Sequence, residues 1–296
     1  MPQVLINPRA ASLGSSSVIL RGCGRQYHVA DFSGPLSVKT VVRGLGRWRT
    51  EDGEFAIEPG ALLVVNDAQP YSLTIDAREP VSTCCLFFAQ SLVESIHRSL
   101  TEPIETGVDD PARVSGPVRF LARLETGSPA LLGRMTAIDR AIRAALATDT
   151  WLEEQVLLAG CDLLGLDRSA REQANRVPAA RPSTRLEIYR RLCRGRDFLY
   201  AHRAQPVTLA EAARAACLSA YHFHRHFAGA FHETPHQYLT RLRMERAARL
   251  LASSELPVTE VCLESGFSSL GSFSTLFHRR FGMGPREYRR NQIPQV

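Results

Sequence analysis

The stretch "YHFHRH", Tyr221 to His226, packs three histidines and an arginine into six residues, and spacing decides what chemistry they can share. His222 and His226 lie four apart and could meet one metal ion, whereas histidines two apart do not share a helix face. Phe223, Phe227 and Phe231 recur every four residues, forming one apolar stripe that a helix must bury. The opposite side is then left to Tyr221, His222, His224 and Arg225. Solvated or polyanion-facing histidines fit this pattern better than a metal site.

The N-terminal half offers less. His28 and His97 are its histidines, so the cluster of His and carboxylate ligands that a metal-dependent barrel enzyme needs is absent. We therefore expect no catalytic residue, metal or cofactor. Lys39 is the sole lysine among 36 basic side chains and lies in "SVKTVVRG" with Arg43. Either it points into water, or it faces a pocket lined by Trp48 and Tyr71. In the second case a small carboxylic acid would supply the anion that a buried ammonium requires, with its apolar body against the "LLVV" segment. Cys84-Cys85 reads as two buried thiols or a redox sensor, the former being the simpler.

Those residues need elements to position them. Between residues 17 and 88, "PLSVKTVV", "EFAI", "ALLVV", "YSLTI" and "VSTCCLFF" read as short strands separated by glycine, proline and Asn66-Asp67 turns. Such strands suggest an antiparallel β-barrel or jelly roll. From residue 91 the period becomes helical: "SLVESIHRSL", then Pro129–Ala147 and Trp151–Leu166, which carry enough apolar residues to pack on the barrel and on a twin, making a homodimer. "DRSAREQANRVPAARPST" reads as a linker. The expectation is an α+β multidomain chain: residues 1–166 a barrel with trailing helices, 167–184 a linker, and 185–296 all-α.

The C-terminal region repeats itself. "LAEAARAAC" matches "VTEVCLESG" at an offset of 49. Beyond the turn the offset is 50, pairing Phe223 with Phe273, Phe227 with Phe277, Phe231 with Phe281, Pro235 with Pro285 and Tyr238 with Tyr288. Each copy reads as a short helix, a tight turn and a second helix, with Ser219 and Ser268 placed to cap the second. This is the helix-turn-helix pattern, whose second helix enters the major groove. "HQYLTRLRMERAARLL" between the copies spans roughly 25 Å as a helix, a strut for two readers about one DNA turn apart, ~34 Å. Charge agrees: residues 183–296 hold 17 basic against 9 acidic side chains, while residues 1–182 hold 19 against 21.

Residues 185–290 resemble the two-helix-turn-helix DNA-binding domain of the AraC/XylS family of bacterial transcription regulators, on the words "LSAYHFHRHFAGAFHETPHQYL", "RLRMERAARLL" and "VTEVCLESGFSSLGSFSTLFHRRFGMGPREYRR". The stretch "FAIEPGALLVVNDAQPYSLTI" resembles the family's cupin-like effector domain. The resemblance implies promoter DNA and RNA polymerase as partners, activation more often than repression, and a small-molecule effector. The alternative is a ligand-independent regulator whose barrel serves dimerisation or partner binding.

Candidate DNA-binding residues are Ser219, Tyr221, His222, His224 and Arg225 in the first copy, and Ser269, Leu270, Ser272, Thr275, Arg279 and Arg280 in the second. The two copies differ. Cys217 stands at the turn where the family prefers glycine, so that turn is either strained or differently shaped. Thr275 replaces the arginine that often reaches a base, leaving the second reader poorly equipped, with Arg279 and Arg280 nearer phosphates. The seven cysteines form no C-x-x-C pair, no apolar run reaches ~20 residues, and "MPQVLINPRA" lacks a signal-peptide pattern. A cytoplasmic location, away from the membrane, is the resulting expectation.

Overall fold

The computed structural model describes residues 4–8, 13–101, 118–126, 128–179 and 181–292. They form two compact units, Met1–Asn175 and Arg176–Val296.

The first unit is built on one eight-stranded sheet: β1 (Leu5–Ile6), β2 (Val18–Phe32), β3 (Ser37–Arg43), β4 (Gly46–Thr50), β5 (Gly53–Ile57), β6 (Leu62–Val65), β7 (Tyr71–Phe87) and β8 (Leu124–Glu125). Its order is β1-β2-β7-β3-β6-β8, with β4 paired to β7 and β5 to β4. All pairs are antiparallel except β1 with β2. The sheet does not close into a barrel. Its path ends at β1 and β8, each two residues long, and remains compatible with a cupin-like fold.

Two strands are much longer than the sequence suggests. "YSLTI" and "VSTCCLFF" are the two halves of β7, and Pro80 between them sits at an irregularity where pairing with β2 jumps from Gly24↔Val81 to Gln26↔Asp76. A proline is tolerated there because the ladder asks nothing of it. The reading from sequence named no strand within β2. "RGCGRQYHVADF" shows no apolar alternation, and only pairing with β7 holds it extended.

The sheet's two faces do different jobs, as strand parity requires. Ile19, Val38, Leu62, Val64, Cys84 and Leu86 join one core with Val93, Leu131, Met135, Ile138, Leu152, Val156, Ala159 and Leu163. These come from α1 (Leu92–Thr101), α2 (Pro129–Arg143) and α3 (Asp149–Asn175). Asp139 on α2 is buried and accepts from Arg21 Nε on β2 at 2.8 Å, with Arg143 Nε 3.1 Å away, fastening helix to sheet.

The polar stretch read as a linker from residue 167 is helical through Asn175, inside α3. Ala170 and Ala174 are buried, Arg171 pairs with Asp167 one turn back, and Arg123 donates to Gln173. Those tertiary contacts carry the helix past its apolar stretch.

The second unit is helical: α4 (Pro182–Ala201), α5 (Leu209–Ala215), α6 (Ala220–Phe231), α7 (Pro235–Ser253), α8 (Val258–Glu264), α9 (Leu270–Phe281) and α10 (Pro285–Gln292). α4 supports the first repeat closely: a Cβ on Gly195 would lie 2.4 Å from the Phe223 ring and 3.0 Å from the Ala212 carbonyl. Among the described residues no helix is long and apolar enough to cross a membrane.

Candidate nucleic-acid interface and ligand cavity

The two repeats fold alike. Thr208 opens α5 with a capping box, its hydroxyl accepting from Glu211 N while the Glu211 carboxylate accepts from Thr208 N. Both turns then close with the same backbone bonds: Cys217 N to Arg214 O and Leu218 N to Ala213 O, matched by Gly266 N to Leu263 O and Phe267 N to Cys262 O. Cys217 has φ +51° and Gly266 φ +90°. The first turn therefore has the shape of the second and carries its strain on a cysteine, roughly 1–2 kcal/mol.

The neighbours explain why glycine is kept at only one of the two. A Cβ on Gly266 would lie 2.5 Å from Arg203 O and 2.8 Å from Arg243 Nε, whereas Cys217 is exposed. The extra residue of the second copy follows Gly266. Ser269, not Ser268, is consequently the N-cap of α9, its hydroxyl accepting from Ser272 N as Ser219 accepts from His222 N in α6. Capping a helix start matters by about 1 kcal/mol.

Beyond the turn the aromatic stripes superimpose in kind. Phe223, Phe227, Phe273 and Phe277 are fully buried. Phe227 meets Tyr238 at 5.7 Å between centroids, and Phe277 meets Tyr288 at 5.3 Å. Each second helix is thereby pinned to the helix that follows it, and α7, at 19 residues, is about 28 Å long.

Burying the stripe turns Tyr221, His222, His224 and Arg225 outward, and all four are exposed with Ser219. Ser219 Oγ also lies 3.0 Å from His222 Nδ1, and the His222 and His226 rings stack at 6.0 Å. Among the described residues no three His, Cys, Asp or Glu side chains gather where they could hold a metal. His226 is half-buried, and burial, followed by His222 and Arg225, lowers its pKa. The outer face of α6 thus offers a guanidinium, imidazoles and a phenol, all able to reach base edges.

The corresponding face of α9 offers Ser269, Leu270, Ser272, Thr275 and Arg279, each exposed. Arg280 is engaged elsewhere: its Nη2 lies 3.0 Å from Glu245 Oε1 on α7, which Arg241 also contacts.

In the first unit, Lys39, Trp48 and Tyr71 come from three different strands and line one cavity of about 350 Å³. Its walls are the sheet face turned away from the helices. β7 contributes Tyr71, Leu73, Ile75, Val81, Thr83, Cys85 and Phe87 in strict alternation, and β2 contributes Leu20, Tyr27 and Val29.

Lys39 does not point into water, being 1% exposed, whereas Arg43 is exposed. The strand register sets this, placing Lys39 beside Cys85 on β7 and Leu63 on β6. Lys39 Nζ donates to Tyr71 Oη at 3.0 Å and stands 3.6 Å from the Phe87 ring centroid. Among the described residues no carboxylate is within ion-pair distance, so burial lowers its pKa to about 7, against a small opposing effect of Cys85. Burial likewise raises the Tyr71 phenol and the Cys85 thiol.

The "LLVV" segment does not line this cavity. Leu62 and Val64 face the helices, and β6 contributes none of the lining. Phe87, Cys85, Thr83 and Val81 take that place, and the period-2 pattern of "VSTCCLFF" is the signal that groups them. Cys84 and Cys85 are both buried and unbonded, on opposite faces.

Comparison with known proteins divides the chain the same way. A model described as an AraC-like ligand binding domain matches residues 24–142, and one described as a helix-turn-helix domain matches residues 212–291. The probable transcriptional regulator LumQ of Photobacterium leiognathi is 35% identical over 92 residues, 31% of this chain and 37% of LumQ. The transcriptional activator RhaS of Salmonella arizonae is 39% identical over 100 residues, 33% of this chain and 36% of RhaS. The chain thus spans little more than a third of the length of these curated relatives. Among solved structures, the C-terminal domain of AraT, a response regulator from Geobacillus stearothermophilus, is 31% identical. That match covers 36% of this chain and 89% of that one, with a TM-score of 0.34.

Proposed function

The chain belongs to the AraC family of transcription regulators, and from that premise we propose that it binds promoter DNA sequence-specifically through α6 and α9 and activates transcription by contact with RNA polymerase. The observation that carries this reading is the exposed set Tyr221, His222, His224 and Arg225, held outward by the fully buried Phe223 and Phe227. Ser219 and Ser269 present the two helix starts; Leu270, Ser272 and Thr275 meet DNA with little discrimination. Arg279 meets phosphate, and Arg280 does so only when it leaves Glu245. In-vitro selection of binding sites tests this. One well-defined half-site beside a weakly defined one supports the asymmetric reading, and no enriched sequence overturns DNA recognition.

The first unit serves as the effector and dimerisation domain and the second as the DNA-binding domain, joined through the part of 167–184 that lies between α3 and α4, in a cytoplasmic regulator without enzymatic activity. A packed interior would have favoured a barrel that only dimerises; the cavity at Lys39, Trp48 and Tyr71 favours a small-molecule effector. A small carboxylic acid with an apolar body fits, since its anion would hold Lys39 protonated. Leu158 on α3 remains exposed and supports a homodimer through that helix. Effector binding shifts the arrangement of the two units only by its differential affinity for them. Promoter activation across a panel of carboxylic acids, in wild type and Lys39→Met, tests the effector. An unchanged dose response removes Lys39 from that role.

A further inference from the structure

The cavity allows a second chemistry beside anion pairing. Its one amine lies at the wall of an apolar space, with Phe87, Leu20, Trp48, Leu73, Ile75 and Val81 around it. Only the Tyr71 hydroxyl is within hydrogen-bond distance of Nζ, and no carboxylate neutralises it among the described residues. Arg21, which also borders the cavity, is paired to Asp139. An anion here would find a single positive charge, one that the Tyr71 and Phe87 ring faces also stabilise.

Burial of Lys39 to 1% exposure among mostly apolar side chains nevertheless favours the uncharged amine, and an uncharged amine is a nucleophile. We propose that Lys39 captures aldehydes by forming a reversible imine inside the cavity, so that the chain senses carbonyl compounds with an apolar body. This rests on the reading of the cavity as an effector site and names the chemistry used there. Burial supports it: with its pKa lowered to about 7, a large share of Lys39 is unprotonated near neutrality.

The step balances without an oxidant. The Nζ lone pair attacks the carbonyl carbon, forming the C–N bond as the C=O π bond opens onto oxygen. A proton passes from nitrogen to that oxygen, giving a carbinolamine. The carbinolamine hydroxyl leaves as water when it receives a proton, the nitrogen lone pair forms the C=N bond, and the resulting iminium returns that proton to give the neutral imine. Tyr71 Oη, 3.0 Å from Nζ, is placed to relay that proton. Its phenol, raised by burial, stays protonated at neutral pH. Amine plus aldehyde yields imine plus water, and water reverses it.

The cavity is reachable. Gly22, Cys23, Gln26 and Tyr27 border it along β2 and are exposed, Tyr27 at 58%. That edge is the entrance, with Lys39 at the deep end. A carboxylate that pairs with the protonated form competes for the same nitrogen.

The chain has one lysine, so the chemistry can be assigned without ambiguity. The full chain is incubated at pH 7 with benzaldehyde and sodium cyanoborohydride, and the reduced adduct is located by peptide mass spectrometry. Benzaldehyde and benzoate binding are followed by Trp48 fluorescence in a Trp151→Phe background. The expected result is one benzyl group on Lys39, formed roughly a hundredfold faster than on acetyl-lysine amide, slowed by benzoate, and lost in Lys39→Met.

Tyr71→Phe should retain the adduct but form it more slowly. The mapping on unmutated protein needs no variant to fold. If Trp48 responds to benzaldehyde while the label is confined to the chain's α-amine, the imine is wrong and the effector cavity survives. If neither benzaldehyde nor benzoate perturbs Trp48 and Lys39 stays unlabelled, both readings fall.

Discussion

Replacing Lys39 by methionine should change not only stability but its dependence on pH. Folding places the amine where its pKa is about 7 rather than 10.5. Between those values the unfolded chain binds more protons than the folded one, so stability rises with pH across that window. Below pH 7 both states are protonated and the full penalty applies; above 10.5 it vanishes. The whole gap corresponds to roughly 5 kcal/mol, of which about 2 kcal/mol is relieved between pH 7 and pH 9.

Lys39→Met keeps the side-chain length and removes the titration. It should be more stable than wild type at pH 7, with that advantage shrinking by about 2 kcal/mol at pH 9. Both tryptophans, Trp48 and Trp151, belong to the first unit, so fluorescence during urea unfolding reports that unit alone. Other groups titrate equally in both proteins and cancel in the difference, and Cys85, raised by burial, stays a thiol when folded. Parallel stability–pH curves for the two proteins would refute a buried, depressed Lys39.

The remaining expectations concern the DNA-binding unit. Arg225→Ala should weaken specific binding by about 1–3 kcal/mol and relax one base position, whereas Thr275→Ala should change affinity little; equal losses in a fluorescence-anisotropy titration would contradict the asymmetry. Affinity should fall steeply with salt, for the full chain and for segment 183–296 alone, because neutralised phosphates release counterions; a flat response would argue against phosphate contact. Gly266→Ala should destabilise the second unit by more than about 2 kcal/mol, adding contact with Arg203 O to the positive-φ strain. Cys217→Gly should instead leave stability unchanged or raise it by up to about 1 kcal/mol, since relief of strain offsets glycine's added chain entropy. Circular dichroism melts that rank these two the other way would refute the account of the turns.

The helical unit was open to the sequence because its signals are local. A four-residue phenylalanine spacing identifies the buried face, and the complementary face follows without knowing what covers the stripe. The repeat extended this. The offset of 49 before the turn and 50 after it placed the extra residue near Gly266, yet the cap was read at Ser268, one residue before the Ser269 that holds it. Whether Cys217 bends the chain as glycine does was a question of φ, which residue type constrains but does not determine.

The first unit hid more, because strands are defined by partners distant in sequence. Nothing within β2 announces fifteen extended residues, and Pro80 argues against joining the two halves of β7. Pairing between β2 and β7, from Val18↔Phe87 to Phe32↔Tyr71, overrides both. Composition could single out Lys39 as the chain's only lysine and place it on a strand with Trp48 and Tyr71 as companions. Whether its amine met water or the interior depended on the register of β3 between β6 and β7, since slipping a strand by one residue exchanges its faces. Local pattern and residue type determined the outward faces of α6 and α9; long-range strand register alone decided that the lysine would be buried, and burial is what changes its chemistry.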